Sequence, residues 1–154
     1  VIAGVGDGLA GLQARARELG VEERVVWAGW IEHQRAHVIL AAADAVVAPF
    51  RDTLVNRAKC PAKVVAGMAM GKAVVAGRVG QNAEYIEDER SGLLARPGDA
   101  RDLARALASV LSDRQLAARL GAAARQRIWD QFDWDVRAPQ LEAAYRIAGA
   151  GEQA

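Results

Sequence analysis

The sequence lacks the features that mark several large classes of protein. Its 154 residues include a single cysteine, Cys60, which excludes an intrachain disulfide and a cysteine-rich zinc site. No apolar run reaches the roughly 18 residues that a membrane-spanning helix needs, and no segment resembles a secretory signal peptide. We therefore expect a cytoplasmic protein, with the inner face of the membrane as an alternative location.

An excess of charge of one sign is also absent. The chain has 20 Lys and Arg against 19 Asp and Glu, and aromatic residues make up only 5% of it. Because it has no long basic face with interleaved aromatic residues, we expect no nucleic acid partner. The hydrophobic fraction of 52% is enough to bury a core. The length is that of one domain, so we predict a single domain over residues 1–154.

Histidine is equally scarce, and the two that are present do not predict a metal site. His33 and His37 are four residues apart, a spacing that can place two ligands on one face of a helix. Neither an HExxH pattern nor a nearby third ligand accompanies them. We therefore interpret both as surface polar residues, and we expect no metal and no cofactor.

Apolar residues recur along the chain with the alternating periods of strands and helices. This alternation predicts an α/β fold, a Rossmann-like, doubly wound parallel sheet with right-handed crossovers and helices on both faces. The predicted strands are residues 1–5, 25–27, 45–48, 73–76 and 92–95. The predicted helices are residues 9–19, 32–42, 61–70 and 82–86, helices from an N-cap at Asp99 onward, and a last helix over 136–148 that is interrupted or kinked near Pro139.

The stretch from Val46 to Gly80 is the most informative part of the sequence. It contains a short apolar strand, a polar loop, a helix opened by Pro61 and a second apolar strand. In a parallel α/β sheet, such a loop and the first turn of its helix lie at the carboxyl ends of the strands, where open sheets bind ligands. A helix amino terminus there favours anionic groups such as phosphates. We predict the functional site at this place.

The same stretch resembles retaining glycosyltransferases of family 4, whose segment is written P-x-K-h-h-E-Y-M-A-x-G-x-P-V-V. The resemblance rests on Pro61, Lys63 and the run over residues 68–75. Other segments are similar to landmarks of that family's nucleotide-binding half, in the same order, at residues 5–8, 25–29, 42–49, 79–84, 92–94, 97–99 and 132–134. The chain thus resembles, over nearly its whole length, the C-terminal, nucleotide-sugar-binding half of a GT-B glycosyltransferase.

The resemblance also implies that part of the enzyme is missing from this sequence. The family's nucleotide-binding half begins with one more strand and helix, and an acceptor-binding N-terminal domain precedes it. In the strand order 3-2-1-4-5-6 the missing strand is the central one, so the strands at Val1 and Ala45 either pair directly or flank another element. We expect a fragment of a longer enzyme, inactive alone and prone to self-association.

Family members bind a sugar nucleotide as the donor substrate, with its diphosphate facing the loop and helix that correspond here to residues 51–63. The resemblance implies donor contacts from Ala62 and Lys63 at the helix start. It implies further contacts from Asp52, Asn56 and Arg57 in the loop. Helix N–H groups suit a diphosphate, and an ammonium or a planar guanidinium adds charge. The structural alternatives are a solvated helix lysine and an ordinary polar loop.

Other donor contacts implied by the resemblance lie in the remaining turns. Ile31 corresponds to the position at which the backbone meets the nucleobase, with apolar packing as the alternative. Gly6 and Gly8 would serve the diphosphate or only the turn from strand to helix. Gly80 and Glu84 follow a later strand, and Glu84 would equally serve as a helix-terminus carboxylate.

Two alanines depart sharply from the family pattern. The family has two glutamates eight residues apart, one near the donor sugar and one that holds the ribose hydroxyls, and Ala58 and Ala66 stand in their places. A methyl group accepts no hydrogen bond, and the loss of such a charged partner costs roughly 1.5 to 3 kcal/mol. The departure puts ribose recognition, and hence activity, in question without affecting the predicted fold.

Two functions from different classes follow. The first is the donor-binding domain of a retaining glycosyltransferase, which transfers a hexose from a nucleoside-diphosphate sugar without a protein metal; no catalytic residue is assigned in this chain. The second is a degenerate, non-catalytic GT-B-like module for assembly or regulation, which Ala58 and Ala66 favour. A nucleotide-sugar epimerase and a dinucleotide-binding dehydrogenase are weaker alternatives, the latter because no acidic residue closes the second strand.

Overall fold

The computed structural model describes residues 1–150, apart from the side chains of residues 33, 149 and 150. The chain divides into two compact units, Val1–Ile39 and Leu40–Ala154. Short parallel strands alternate with helices in both units, so the predicted α/β class is confirmed.

The first unit is built on one pair of parallel strands. β1 (Ile2–Ala3) pairs with β2 (Trp27–Gly29). α1 (Leu9–Glu18) follows β1, and α2 (His33–Ala42) begins after β2. Ala16 of α1 is buried, so this helix uses part of its predicted apolar face.

The second unit is built on a three-stranded parallel sheet in the order β3-β4-β5. Its strands are β3 (Ala45–Ala48), β4 (Ala73–Gly77) and β5 (Leu93–Ala95). Its helices are α3 (Leu54–Ala58), α4 (Ala62–Ala69), α5 (Asn82–Tyr85), α6 (Ala100–Ser112), α7 (Arg114–Gln131) and α8 (Trp134–Ala150). Within residues 1–150, none of the helices combines the length and the apolar character needed to cross a membrane.

β4 is the centre of the core, because helices cover both faces of its sheet. All of its residues are buried, and alternate side chains join two separate apolar clusters. The first cluster, against α4 and α7, includes Val74, Ala76, Val64, Met68 and Ile128. The second, against α6 and α7, includes Ala73, Val75, Val110 and Leu120. This is the pattern of a parallel strand buried on both sides, and it confirms the prediction of helices on both faces.

The strands form two parallel sheets, β1-β2 and β3-β4-β5, and the break between them falls where the sequence analysis placed the missing central strand. The parallel direction and the order within each sheet are as predicted. β1 has only two residues, both exposed, in place of the predicted strand over residues 1–5, so it lacks the two-sided burial of a central parallel strand. The strands at Val1 and Ala45 do not pair with each other, and the alternative of direct pairing is therefore wrong.

Two predicted boundaries differ for local reasons. β2 begins at Trp27 rather than Val25, because a 3-10 turn over Glu22–Arg24 comes first and the Val25 N–H closes it. The predicted polar loop contains α3, a short helix that the sequence analysis missed. Thr53 starts α3, since its hydroxyl oxygen accepts the Asn56 N–H at 3.2 Å.

The C-terminal helices follow the prediction except at one proline. Asp99 caps α6 as predicted, and its carboxylate accepts the N–H groups of Arg101 and Asp102. α8 continues through Pro139, so the predicted interruption is wrong, while the alternative of a kink at this residue stays a prediction. The proline removes one helical donor near the start of a 17-residue helix, and the remaining turns keep the helix intact.

Candidate functional site

The carboxyl ends of β3 and β4 lie so close together that only glycine fits at two positions. A Cβ atom added to Gly77, at the end of β4, would lie 2.5 Å from the Phe50 carbonyl oxygen. Gly80 has φ +49°, and a Cβ atom there would lie 2.6 Å from the Arg57 carbonyl oxygen. The turn after β4 therefore packs directly on the backbone of α3. This packing explains why residue 80 is a glycine, at a position for which the resemblance implies a donor contact.

The loop after β3 is ordered by its own polar side chains. The Arg57 guanidinium donates to both oxygens of Asp52, at 2.5 and 2.8 Å. This hydrogen-bonded pair lowers the pKa of the Asp52 carboxyl and raises the pKa of Arg57. The Asn56 amide donates to the Arg51 carbonyl oxygen at 2.8 Å. Three predicted donor residues thus lie together, but the Asp52 carboxylate, the Arg57 guanidinium and the Asn56 amide nitrogen already have protein partners.

Two lysines gather at the aromatic ring that follows β3. Phe50 is 8% exposed, and the Lys59 ammonium lies 3.9 Å from its ring centroid. The ammonium of Lys63, in the first turn of α4, lies 5.7 Å from the same centroid. The sequence analysis predicted Lys63 but missed Lys59, because α3 brings Lys59 back to the ring and α3 was itself missed.

A depression of about 550 Å³ lies between α4, α5 and the start of α8. It is lined by Cys60, Ala62, Val65, Ala66, Gln81, Glu84, Tyr85, Phe132 and Arg137. Ala62 and Glu84 are predicted donor residues, and Ala66 is one of the two alanines that replace family glutamates. The depression thus contains the methyl group of Ala66, at the position for which the resemblance implies a ribose-binding glutamate.

Tyr85 is one of the polar residues of this depression that sequence reasoning missed, with Cys60, Gln81 and Arg137. Its hydroxyl lies 3.3 Å from the Cys60 sulfur, and its ring meets Phe132 edge-on with centroids 4.8 Å apart. Burial, with help from the hydrogen bond to Cys60, raises the pKa of Tyr85 to about 12. The phenol is therefore neutral near pH 7 and is able to donate a hydrogen bond.

Arg127 of α7 holds the α5 side of the depression in place. Its guanidinium donates to the carbonyl oxygens of Tyr85 at 2.8 Å and of Glu84 at 2.9 Å. These are the last residues of α5, whose carbonyl groups lack helical partners. The contact joins residues more than 40 positions apart, and no local pattern in the sequence indicates it.

The remaining predicted donor residues belong to the first unit. Gly8 precedes α1 as its N-cap, and the Gly6 carbonyl oxygen accepts the Leu9 N–H at 3.0 Å. A Cβ atom at Gly6 or Gly8 would meet nothing within 4 Å, so space does not require glycine at either position. Ile31 is half-buried just after β2. Donor contacts from these three residues remain predictions.

The described side chains contain no cluster of three His, Cys, Asp or Glu residues that could hold a metal ion. His37 is exposed on α2. The side chain of His33 lies outside the described residues. That both histidines are surface polar residues therefore stays a prediction.

A parallel sheet with helices on both faces and a helix start at the carboxyl ends of its strands is the architecture of a nucleotide-binding α/β domain. Residues 1–127 match the family described as Glycosyl transferases group 1. The chain belongs to this family, which confirms the resemblance stated from the sequence.

The relatives in sequence are glycosyltransferases from several organisms. The chain is 32% identical to glycogen synthase of Mycobacterium tuberculosis over 99% of its own length and 36% of the relative's. It is 29% identical to the GDP-mannose-dependent alpha-(1-6)-phosphatidylinositol monomannoside mannosyltransferase of the same species, over 92% of the chain and 37% of the relative. The chain therefore spans about a third of the length of these curated relatives.

Solved structures agree on the fold. Sucrose-phosphate synthase of Thermosynechococcus elongatus superposes with a TM-score of 0.77 at 30% identity, over 92% of this chain and 34% of the other. Anabaena HepE in complex with UDP superposes with a TM-score of 0.74 at 25% identity, over 96% of this chain and 40% of the other. HepE has also been solved with UDP-glucose.

Proposed function

We propose that this chain is the donor-binding domain of a retaining glycosyltransferase that transfers a hexose from a nucleoside-diphosphate sugar. The proposal rests on the groups that lie together at the carboxyl edge of the second unit's sheet. There the start of α4, two lysines and the depression beside Ala66 lie together in a member of the group 1 family. The relatives support the donor class, since HepE was solved with UDP and with UDP-glucose and the mannosyltransferase is GDP-mannose-dependent.

The proposed chemistry asks the protein to stabilise the departing diphosphate. Negative charge develops on that group as the sugar leaves, and fixed N–H donors and cations aimed at it lower the barrier. In this chain those groups are the first backbone amides of α4 and the ammonium of Lys63, with no protein metal required. The acceptor would be held by a second, N-terminal domain. The location would be cytoplasmic, at the inner membrane face if the acceptor is a lipid.

A second candidate is a degenerate module that keeps the fold for assembly or regulation. The observation that favours it is Ala66, which lines the depression with a methyl group. Ala58, at the end of the exposed helix α3, replaces the other glutamate. Under this proposal the domain has lost sugar transfer and retains at most weak nucleotide affinity.

Calorimetric titration of the chain with UDP, GDP, UDP-glucose and GDP-mannose tests these proposals. Donor binding predicts saturable binding of at least one nucleoside diphosphate and of its sugar. The degenerate module predicts weak binding of the nucleotide with no gain from the sugar. Absence of binding for every one of the four compounds would contradict the proposed function.

Replacing Lys63 tests the diphosphate site directly. We expect Lys63→Ala to weaken the binding of the nucleoside diphosphate roughly tenfold, because the ammonium donates one charge-assisted hydrogen bond to a phosphate oxygen. Titration calorimetry measures the dissociation constant. Arg114→Ala, which removes one exposed cation at the start of α7, is the control and should leave it unchanged. Equal constants for the wild type and Lys63→Ala would show that Lys63 is only a solvated helix lysine.

A further inference from the structure

Phe50 occupies a place where a side chain can organise the cations of the site. It lies two residues after β3, and its backbone packs against Gly77 at the end of β4. Its ring belongs to the apolar cluster under α4, so the ring itself has a fixed position. The ammonium of Lys59 at 3.9 Å and that of Lys63 at 5.7 Å both lie within the range of a cation–π contact with this one ring.

The charges around this edge leave Lys59 and Lys63 as available cations, together with the exposed Arg51 that directly follows Phe50. Arg57 is the other basic residue that the resemblance assigned to the donor, but its guanidinium is engaged by both oxygens of Asp52. In the part of the chain that the structure describes, neither Lys59 nor Lys63 forms an ion pair with a carboxylate. Two uncompensated ammonium groups at one ring form a concentrated positive charge.

We propose that Phe50 is a positioning residue, which holds Lys59 beside Lys63 as a second cation for the diphosphate of the donor. The inference rests on the proposed function, because it names the group of the ligand that the two lysines meet. A lysine side chain is long and flexible, and a free one loses rotamer freedom when it binds a phosphate. The contact with Phe50 restricts Lys59 before the ligand arrives, and this preorganisation strengthens binding.

The cation–π contact also keeps both ammonium groups available to an anion. An ammonium has three N–H donors, and an aromatic ring accepts none of them as a full hydrogen bond. The ring attracts each ammonium from one side, so its N–H donors stay available to an anion. A carboxylate partner would instead compete with the phosphate. Phe50 thus differs from Asp52, which neutralises the arginine that it holds.

The test compares four variants with the wild type. Each is titrated with pairs of ligands that differ only in the presence or absence of the diphosphate. UDP and uridine, and GDP and guanosine, are titrated by calorimetry against the wild type, Lys59→Met, Phe50→Leu, Phe50→Tyr and the double variant Phe50→Leu/Lys59→Met. Leucine keeps an apolar side chain in the cluster, and tyrosine keeps the aromatic face. Thermal unfolding of each variant shows whether the fold is retained.

We expect Lys59→Met to weaken the binding of the nucleoside diphosphate about fivefold. We expect Phe50→Leu to weaken the same binding about two- to fivefold. The affinity for the nucleoside should not change in either variant. Phe50→Tyr should bind as the wild type does. Since Phe50 acts through Lys59, the double variant should be little weaker than Lys59→Met alone, and this non-additivity separates positioning from a general loss of structure.

Three outcomes would overturn the inference. The first is an unchanged affinity of Lys59→Met for the nucleoside diphosphate. The second is an equal loss of affinity for diphosphate and nucleoside in Phe50→Leu. Either result would show that the Phe50 ring only packs in the apolar core. Additive losses in the double variant would show that Phe50 does not act through Lys59. The proposed function would survive each of these results, whereas a wild type that binds neither UDP nor GDP would overturn both.

Discussion

Gly80→Ala is expected to destabilise the second unit by about 2 to 4 kcal/mol. Gly80 has φ +49°, and an added Cβ atom would lie 2.6 Å from the Arg57 carbonyl oxygen and 2.8 Å from that of Asn56. A left-handed conformation in a residue other than glycine and a forced displacement of packed backbone each cost roughly 1 to 3 kcal/mol. Urea unfolding monitored by circular dichroism measures the free energy of unfolding.

Gly98→Ala is the matched control for this change. Gly98 also has a positive φ, +74°, but an added Cβ atom there would meet only the Arg51 side chain at 3.9 Å. The control should therefore cost only the conformational term, roughly 1 kcal/mol. Equal losses for the two variants would contradict the tight packing of the β4 turn on α3.

Much of the second unit follows from the sequence because its signals are local. β3 has the predicted bounds, β4 differs from the prediction by one residue at one end, and α4 differs by one residue at each end. Apolar runs of four or five residues bounded by turn residues leave few alternatives to buried parallel strands. Asp99 as N-cap of α6 is equally local, since the carboxylate and the N–H groups that it accepts are neighbours in the chain.

The first unit was harder to predict because its strands are short and exposed. Val1 to Val5 reads as an apolar run, but β1 has only two residues and neither is buried. A sequence pattern reports which residues are apolar and not whether a neighbouring strand is present to bury them. The break between the two sheets was indicated by the resemblance instead, which places a missing central strand between the strands at Val1 and Ala45.

The composition of the candidate site was predicted only in part because its contacts are distant in sequence. The resemblance predicted donor contacts from Ala62, Lys63 and Glu84. Lys59 and Tyr85 belong to no motif, so the sequence did not indicate them. Tyr85 meets Phe132 through packing of α5 on the end of α7, and Lys59 reaches Phe50 only because α3 folds the loop back. Such pairings depend on tertiary packing, which no short window of sequence contains.

Ala66→Glu is expected to strengthen binding of the nucleoside diphosphate roughly five- to thirtyfold. Ala66 is half-buried in α4 and lines the depression, so a carboxylate there is placed to accept the ribose hydroxyls. A hydrogen bond of this charged kind contributes roughly 1 to 2 kcal/mol. Calorimetric titration with UDP and GDP measures the gain, and the isosteric Ala66→Gln should give a smaller one because its acceptor is neutral.

The control for added charge is Ala122→Glu, which places the same side chain at an exposed position of α7. It should leave the dissociation constant unchanged. If Ala66→Glu gives no gain while thermal unfolding shows an intact fold, the depression has diverged beyond this one residue or does not bind a ribose. That result would favour the degenerate module over the donor-binding domain, because a functioning ribose site should respond to its missing acceptor.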